Sequence, residues 1–208
     1  MKIGDVSDVK MDKFILFSAQ LVLSLPFHKK NRMKRIFLIG YMGAGKTTLG
    51  KALARRMNLS FIDTDLYIEN RYHRKISEIF ATEGEERFRE IEYRILLEIS
   101  EFEDVVVSTG GGLPCFNDNM ATMNNCGITV YLETSEEELA ARLKVSKNVR
   151  PVLKNRSGSE LVDFIKENLH IRKTFYEQAA VRFVAEQMDS EKDVEVLVEN
   201  LEKMICDK

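Results

Sequence analysis

Met33-Lys34-Arg35-Ile36-Phe37-Leu38-Ile39-Gly40-Tyr41-Met42-Gly43-Ala44-Gly45-Lys46-Thr47-Thr48 runs a short apolar stretch straight into a glycine-rich loop. Residues 36–39 have the composition of a buried strand. Residues 46–57 follow with Leu49, Leu53 and Met57 on one helical face. Between them, residues 40–47 satisfy G-x-x-x-x-G-K-[ST] in the context that gives this pattern meaning, after a strand and before a helix. The glycines let successive backbone N–H groups turn inward toward phosphates. Lys46 reaches the β and γ oxygens as a mobile point charge, and Thr47 offers a hydroxyl to magnesium. The helix that follows aims its positive end at the anion. The loop therefore predicts bound ATP and Mg2+, held by Gly43, Ala44, Gly45, Lys46, Thr47 and Thr48.

Outward from the loop, short apolar runs alternate with longer amphipathic stretches, the pattern of a parallel sheet with crossover helices. Residues 60–62 read as a second strand and 128–132 as a fourth. Between these, the continuous β-branched run 105–107 reads as a third strand, covered on both faces. Residues 181–185 read as a fifth. Ser135 and Glu138 predict a capping box that opens a helix over 136–143. A last helix is expected from about Asp193, burying Val194, Leu197, Val198, Leu201 and Ile205. Two segments break the rhythm. Residues 65–101 are almost entirely helical in pattern where a short crossover would suffice, and 144–158 are polar and carry Arg150-Pro151. They are expected to be a substrate-binding insertion and a mobile lid.

Three further features carry chemistry. Asp63-Thr64-Asp65 follows the second strand, and parallel sheets gather ligands at the carboxyl ends of their strands. That spacing lets Asp63 face a metal while Asp65 faces a substrate hydroxyl; the plainer alternative is a pair of solvated or helix-capping acids. Gly110-Gly111-Gly112 follows the third strand, where many P-loop proteins place a magnesium-binding Asp, and suggests a ligand passing close to the backbone. Arg87, Arg89, Arg150 and Arg172 form a set suited to carboxylate and phosphate, three of them in segments expected to cover the site.

The whole chain of 208 residues suits one domain with a full core. Its formal net charge of −2 gives no bulk attraction to nucleic acid, so none is expected as a partner. Three scattered cysteines and three scattered histidines make neither a disulfide framework nor a zinc site, which suggests a cytoplasmic protein. Residues 14–27 are mostly apolar but too short to span a bilayer, and no small-residue cleavage site follows, so no membrane association is expected. Residues 1–32 read as an N-terminal extension with no part in the chemistry, ahead of a catalytic domain over 33–208.

In this order along the chain, the loop 40–50, the segment 61–69, the stretch 79–89, Ser108 to Gly112, residues 149–153 and residues 172–176 together resemble shikimate kinase. The resemblance implies a three-layer α/β fold with a five-stranded parallel sheet, of the nucleoside-monophosphate-kinase type. It implies phosphorylation of the shikimate 3-hydroxyl by ATP, a step toward chorismate and the aromatic amino acids. Asp65 would bind that hydroxyl and act as base, while Arg89 and Arg172 would grip the carboxylate. Gly110, Gly111 and Gly112 would approach the ring, with Phe80 and Phe88 beside it. Asp63 would hold magnesium through water alongside Thr47, and Arg150 would come down on the transferring phosphates with Lys46. Residues 144–150 lack the glycines common in this lid and have no clear second arginine for adenine, leaving Arg142 and Lys144 as candidates. A monomer is expected. A kinase of another small molecule such as gluconate, or a nucleotide switch, are the alternatives; a switch would want a guanine-selecting N-K-x-D segment, and the sequence has none.

Overall fold

The computed structural model describes residues 34–145 and 158–208. The extension 1–32, Arg150 and nearly all of the expected lid thus lie outside the described residues. Five strands, β1 (Arg35–Ile39), β2 (Ser60–Asp63), β3 (Val105–Ser108), β4 (Ile128–Glu133) and β5 (Val181–Val184), form one sheet in the order β2-β3-β1-β4-β5. Every neighbouring pair is parallel. Each predicted strand exists; the first four run one residue beyond the apolar stretch because main-chain pairing continues there, and the fifth ends at Val184, one residue short of the expected Ala185.

The central strands are dry because helices cover both faces. Ile36 to Ile39, Val106 and Val107 have no exposed surface, which is why they read as continuous apolar runs. Right-handed crossovers decide which helix lies where. From β1 the chain travels through α1 (Lys46–Met57) to the far edge at β2. It then returns by way of α2 (Thr64–Tyr72) and α3 (Ile76–Ile99) to β3, so these helices fall on opposite faces. The chain passes on through a 3-10 turn (Leu113–Cys115) and α4 (Asn119–Cys126) to β4. From there α5 (Glu136–Val145) and α6 (Ser159–Tyr176) lead to β5, and α7 (Glu191–Cys206) closes the chain against α1.

Three local readings differ from expectation. The insertion is two helices, broken at His73 (φ 52°), and α3 itself bends at Gly84 (φ 81°, ψ 177°). The bend brings the Phe80 and Phe88 rings to 4.6 Å. The capping box predicted at Ser135 is not made. Its backbone N–H donates to Glu186 Oε1 at 3.2 Å, and Glu138 accepts from Arg142 Nε at 2.8 Å, because an arginine four residues on competes better for that carboxylate. The last helix starts two residues earlier than expected. Ser190 Oγ accepts the Asp193 N–H at 3.2 Å while Asp193 accepts the Ser190 N–H at 2.9 Å. Val198, Leu201 and Ile205 are buried, and Val194 and Leu197 are partly so.

Candidate active site

Sheet register brings the loops together. Leu38 pairs with Ser108 and Ser108 with Asp63, so the ends of β1, β3 and β2 lie side by side. The phosphate loop leaves β1 there. Gly43 (φ 85°) and Gly45 (φ 89°) hold the left-handed backbone that curls it. Lys46 lies folded within the loop, its Nζ donating to the carbonyls of Gly40 and Tyr41 at 2.8 Å each. A cavity of about 590 Å³ opens in front, lined among others by Gly43, Gly45, Lys46, Thr47, Thr48, Asp63 and Asp65. Ala44 is buried behind it.

Asp63 divides its oxygens. Oδ1 accepts the N–H groups of Asp65 (3.1 Å) and Leu66 (3.4 Å), capping α2. Oδ2 accepts the hydroxyls of Thr47 (2.8 Å) and Ser108 (3.2 Å). The capping and metal-facing readings of Asp63 are thus compatible, and the three oxygens make a compact, hard donor set beside Lys46.

The triple glycine is held from two sides. Buried Thr64 accepts the Gly110 N–H at 2.8 Å, and the Tyr176 hydroxyl of α6 donates to the Gly111 carbonyl at 2.6 Å. Functional side chains crowd its Cα atoms. A methyl group at Gly110 would lie 2.6 Å from Asp65 Oδ1 and 3.2 Å from Glu92 Oε1. At Gly111 it would lie 3.7 Å from Arg172 Nη1, and at Gly112 only 2.8 Å from Arg89 Nη1. Asp65, Arg89 and Arg172, drawn from three different helices, therefore meet on one strip of bare backbone. The Arg89 guanidinium lies 5.9 Å from the Phe80 ring and 5.4 Å from the Phe88 ring, and that of Arg172 lies 5.5 Å from Tyr41. Neither arginine lines the nucleotide cavity, which Asp65 alone of these three borders.

Arg87 is not brought to the site; it pairs with Glu83 and Glu90 on the solvated face of α3. Arg142 borders the nucleotide cavity and donates to the Ala185 carbonyl at 3.0 Å, whereas Lys144 is exposed and does not line it.

Several neighbours escape a reading of motifs. Ser108 opens the quoted stretch Ser108 to Gly112 without a role of its own there, and its place at the tip of β3 could have supplied one. Glu92 could have been found as the i+3 partner of Arg89, whose Nη1 donates to its Oε2 at 2.5 Å. Burial pushes the Glu92 carboxyl up to about 7, against the opposing pull of Arg89 and with a further push from the Asp65 charge. Burial would lower Arg89, but Glu92 and Glu85 outweigh it and hold the guanidinium charged. Burial likewise pushes the Cys115 thiol up to about 11, leaving it a poor nucleophile. Phe116, whose ring centroid lies 4.0 Å from Arg89 Cζ, and Met188, which borders the cavity, carry no sequence signal at all.

A parallel sheet with a glycine loop that folds around a lysine at its carboxyl edge, facing a strand-end carboxylate, defines a P-loop phosphotransferase. The sequence model of the family described as shikimate kinase matches residues 42–202, and the chain belongs to that family. The shikimate kinase of Parabacteroides distasonis is 59% identical over 173 residues, covering 83% of this chain and 100% of that protein. The shikimate kinase of Phocaeicola vulgatus is 53% identical, covering 83% and 99%. Among solved structures, the shikimate kinase of Bacteroides thetaiotaomicron superposes with a TM-score of 0.81 at 49% identity, covering 83% of this chain and 98% of that one. The Acinetobacter baumannii shikimate kinase, solved in complex with shikimate, superposes at 0.75 with 31% identity, covering 85% and 94%. The chain accordingly phosphorylates shikimate with ATP as co-substrate. Among the described residues no helix is long and apolar enough to cross a membrane.

Proposed function

We propose that the strip of bare backbone at Gly110, Gly111 and Gly112 is the floor on which shikimate lies, with Asp65 as the base for its 3-hydroxyl and Arg89 and Arg172 on its carboxylate. The observation that carries this reading is the convergence of those three side chains on the three glycines, each close enough that an added methyl would touch it. A flat, carboxylated polyol needs a floor without side chains, a base at one end and guanidinium forks at the other. Phe80 and Phe88 give the ring an apolar wall.

On the nucleotide side, Lys46 exchanges the carbonyls of Gly40 and Tyr41 for the β- and γ-phosphate oxygens. The backbone N–H groups of residues 43–48 hold the same phosphates from the helix end. The hydroxyls of Thr47 and Ser108 with the Asp63 carboxylate suit a small divalent cation that keeps most of its coordination for water and phosphate, as magnesium does. Bound there, magnesium neutralises phosphate charge. Arg142, at the cavity rim, is the better placed of the two candidates for adenine. Arg150, outside the described residues, takes the role on the transferring phosphoryl that the resemblance over 149–153 implies. In the reaction the 3-hydroxyl oxygen attacks the γ phosphorus in line, its proton passes to Asp65, and ADP departs.

Steady-state kinetics test the assignment. Asp65→Asn should lower kcat by about 10²-fold or more with little change in either KM. Arg89→Ala should mainly raise the KM for shikimate. An unchanged shikimate KM in Arg89→Ala would falsify the pose.

A further inference from the structure

We propose that Phe116 is a positioning residue for substrate: its ring face fixes the plane of the Arg89 guanidinium, and through it the orientation in which the substrate carboxylate is received. This rests on the reading that Arg89 meets that carboxylate. Among the described residues three aromatic rings surround Arg89, and of these only Phe116 is in stacking range, at 4.0 Å from Cζ against 5.4 Å for Phe88 and 5.9 Å for Phe80. Gly112 backs the same group, since a methyl there would lie 2.8 Å from Nη1, 3.2 Å from Nη2 and 3.3 Å from Cζ. The guanidinium therefore occupies a fitted slot.

The backbone around the ring points the same way. Phe116 is followed by two residues in the left-handed region, Asn117 (φ 49°) and Asp118 (φ 55°), a conformation that costs free energy for residues with a side chain. Asn117 Nδ2 donates to the Arg89 carbonyl at 3.3 Å, so the same turn that seats the ring also ties the loop to α3 at residue 89. Core burial does not account for the placement, because Phe116 remains 37% exposed.

A fixed guanidinium plane has a specific use here. Arg89 is held by two carboxylates, Glu92, which is buried, and Glu85, whose side chain is 60% exposed and which accepts from Nη2 at 2.7 Å. An incoming carboxylate takes over from the exposed partner. A guanidinium stacked on an aromatic face keeps its orientation through that exchange, where an unstacked one would swing out with Glu85 into solvent.

Kinetics of Phe116→Ala, Phe116→Leu and Phe116→Trp, with Phe116→Ala also placed on an Arg89→Gln background, decide the matter. Phe116→Ala and Phe116→Leu should each raise the shikimate KM roughly 3- to 30-fold, leaving kcat and the ATP KM unchanged. Phe116→Trp should restore it, and Phe116→Ala should add little once Arg89 is Gln. Wild-type behaviour in Phe116→Leu would overturn the proposal, since Leu keeps the bulk and the fold but has no ring face. So would a full Phe116→Ala effect on the Arg89→Gln background, which would mean the ring acts without the guanidinium. An unchanged shikimate KM in Arg89→Gln alone would instead remove the reading of Arg89 on which the proposal rests.

Discussion

Two carboxyl groups at the site, half-buried Asp63 and buried Glu92, sit in different surroundings. Asp63 accepts from four donors, two backbone N–H groups and two hydroxyls. Glu92 has one cation, Arg89, and otherwise faces the Asp65 carboxylate, with Arg172 as a more distant charge, so burial dominates and holds its proton on to about 7. The ordinary glutamate value is 4.5, so between these limits the folded protein binds a proton that the unfolded chain has released. Stability from this group is present below about 4.5 and is lost as pH rises toward 7, by at most about 1.4 kcal/mol per pH unit. Urea midpoints of the ligand-free protein across that range should fall more steeply in wild type than in Glu92→Gln; parallel slopes would contradict the assignment. Gly110 offers a second test. Its substitution by Ala forces a methyl to 2.6 Å from Asp65 Oδ1, and overpacking of that kind should raise the shikimate KM about 10- to 100-fold while the ATP KM holds.

The site depends on how helices start as much as on what they bury. Asp63 caps α2 with one oxygen and so fixes where Asp65, the first acid of that helix, points. At the far end of the chain Ser190 caps α7, which packs on α1 directly behind the phosphate loop. Ser190→Ala should cost about 1 kcal/mol, read as a fall in Tm of roughly 2–4 °C, with kcat at saturating substrates unchanged. A larger fall accompanied by lost turnover would mean that the cap supports the loop itself. Helix α3 is likewise divided by function. Its exposed face spends Arg87 on the surface ion pairs with Glu83 and Glu90, whereas Arg89, two residues on, turns inward to the glycine strip.

At the scale of the molecule, the carboxyl edge of the sheet collects the phosphate loop, Asp63, Asp65 and the triple glycine, because parallel strands all end on the same side. A nucleotide that fills the cavity binds the folded chain alone. ADP at about 100 times its Kd should therefore stabilise the protein by about 2.7 kcal/mol, a rise in Tm of roughly 5–10 °C. Lys46→Ala should abolish most of that shift. Residues 1–32 precede the region matched by the family and are proposed to stand outside the chemistry. Their deletion should leave turnover unchanged, and a large loss would show that they belong to the enzyme.

The sequence by itself determined the strand–loop–helix unit around Lys46, the parallel sheet, the Asp63-Thr64-Asp65 pair of carboxylates and the family. These are local facts: apolar periodicity, glycine content and fixed spacing act over a few residues and survive in one dimension. Only the tertiary structure decided the strand order, the solvated placement of Arg87, and the presence at the site of Glu92 and Phe116. Each of those depends on segments far apart in the chain meeting at one point. Composition alone does not separate Arg87 from Arg89, and the family resemblance does; the physical reason is the glycine strip, brought against α3 from β3, which a methyl at Gly112 would share with the Arg89 guanidinium.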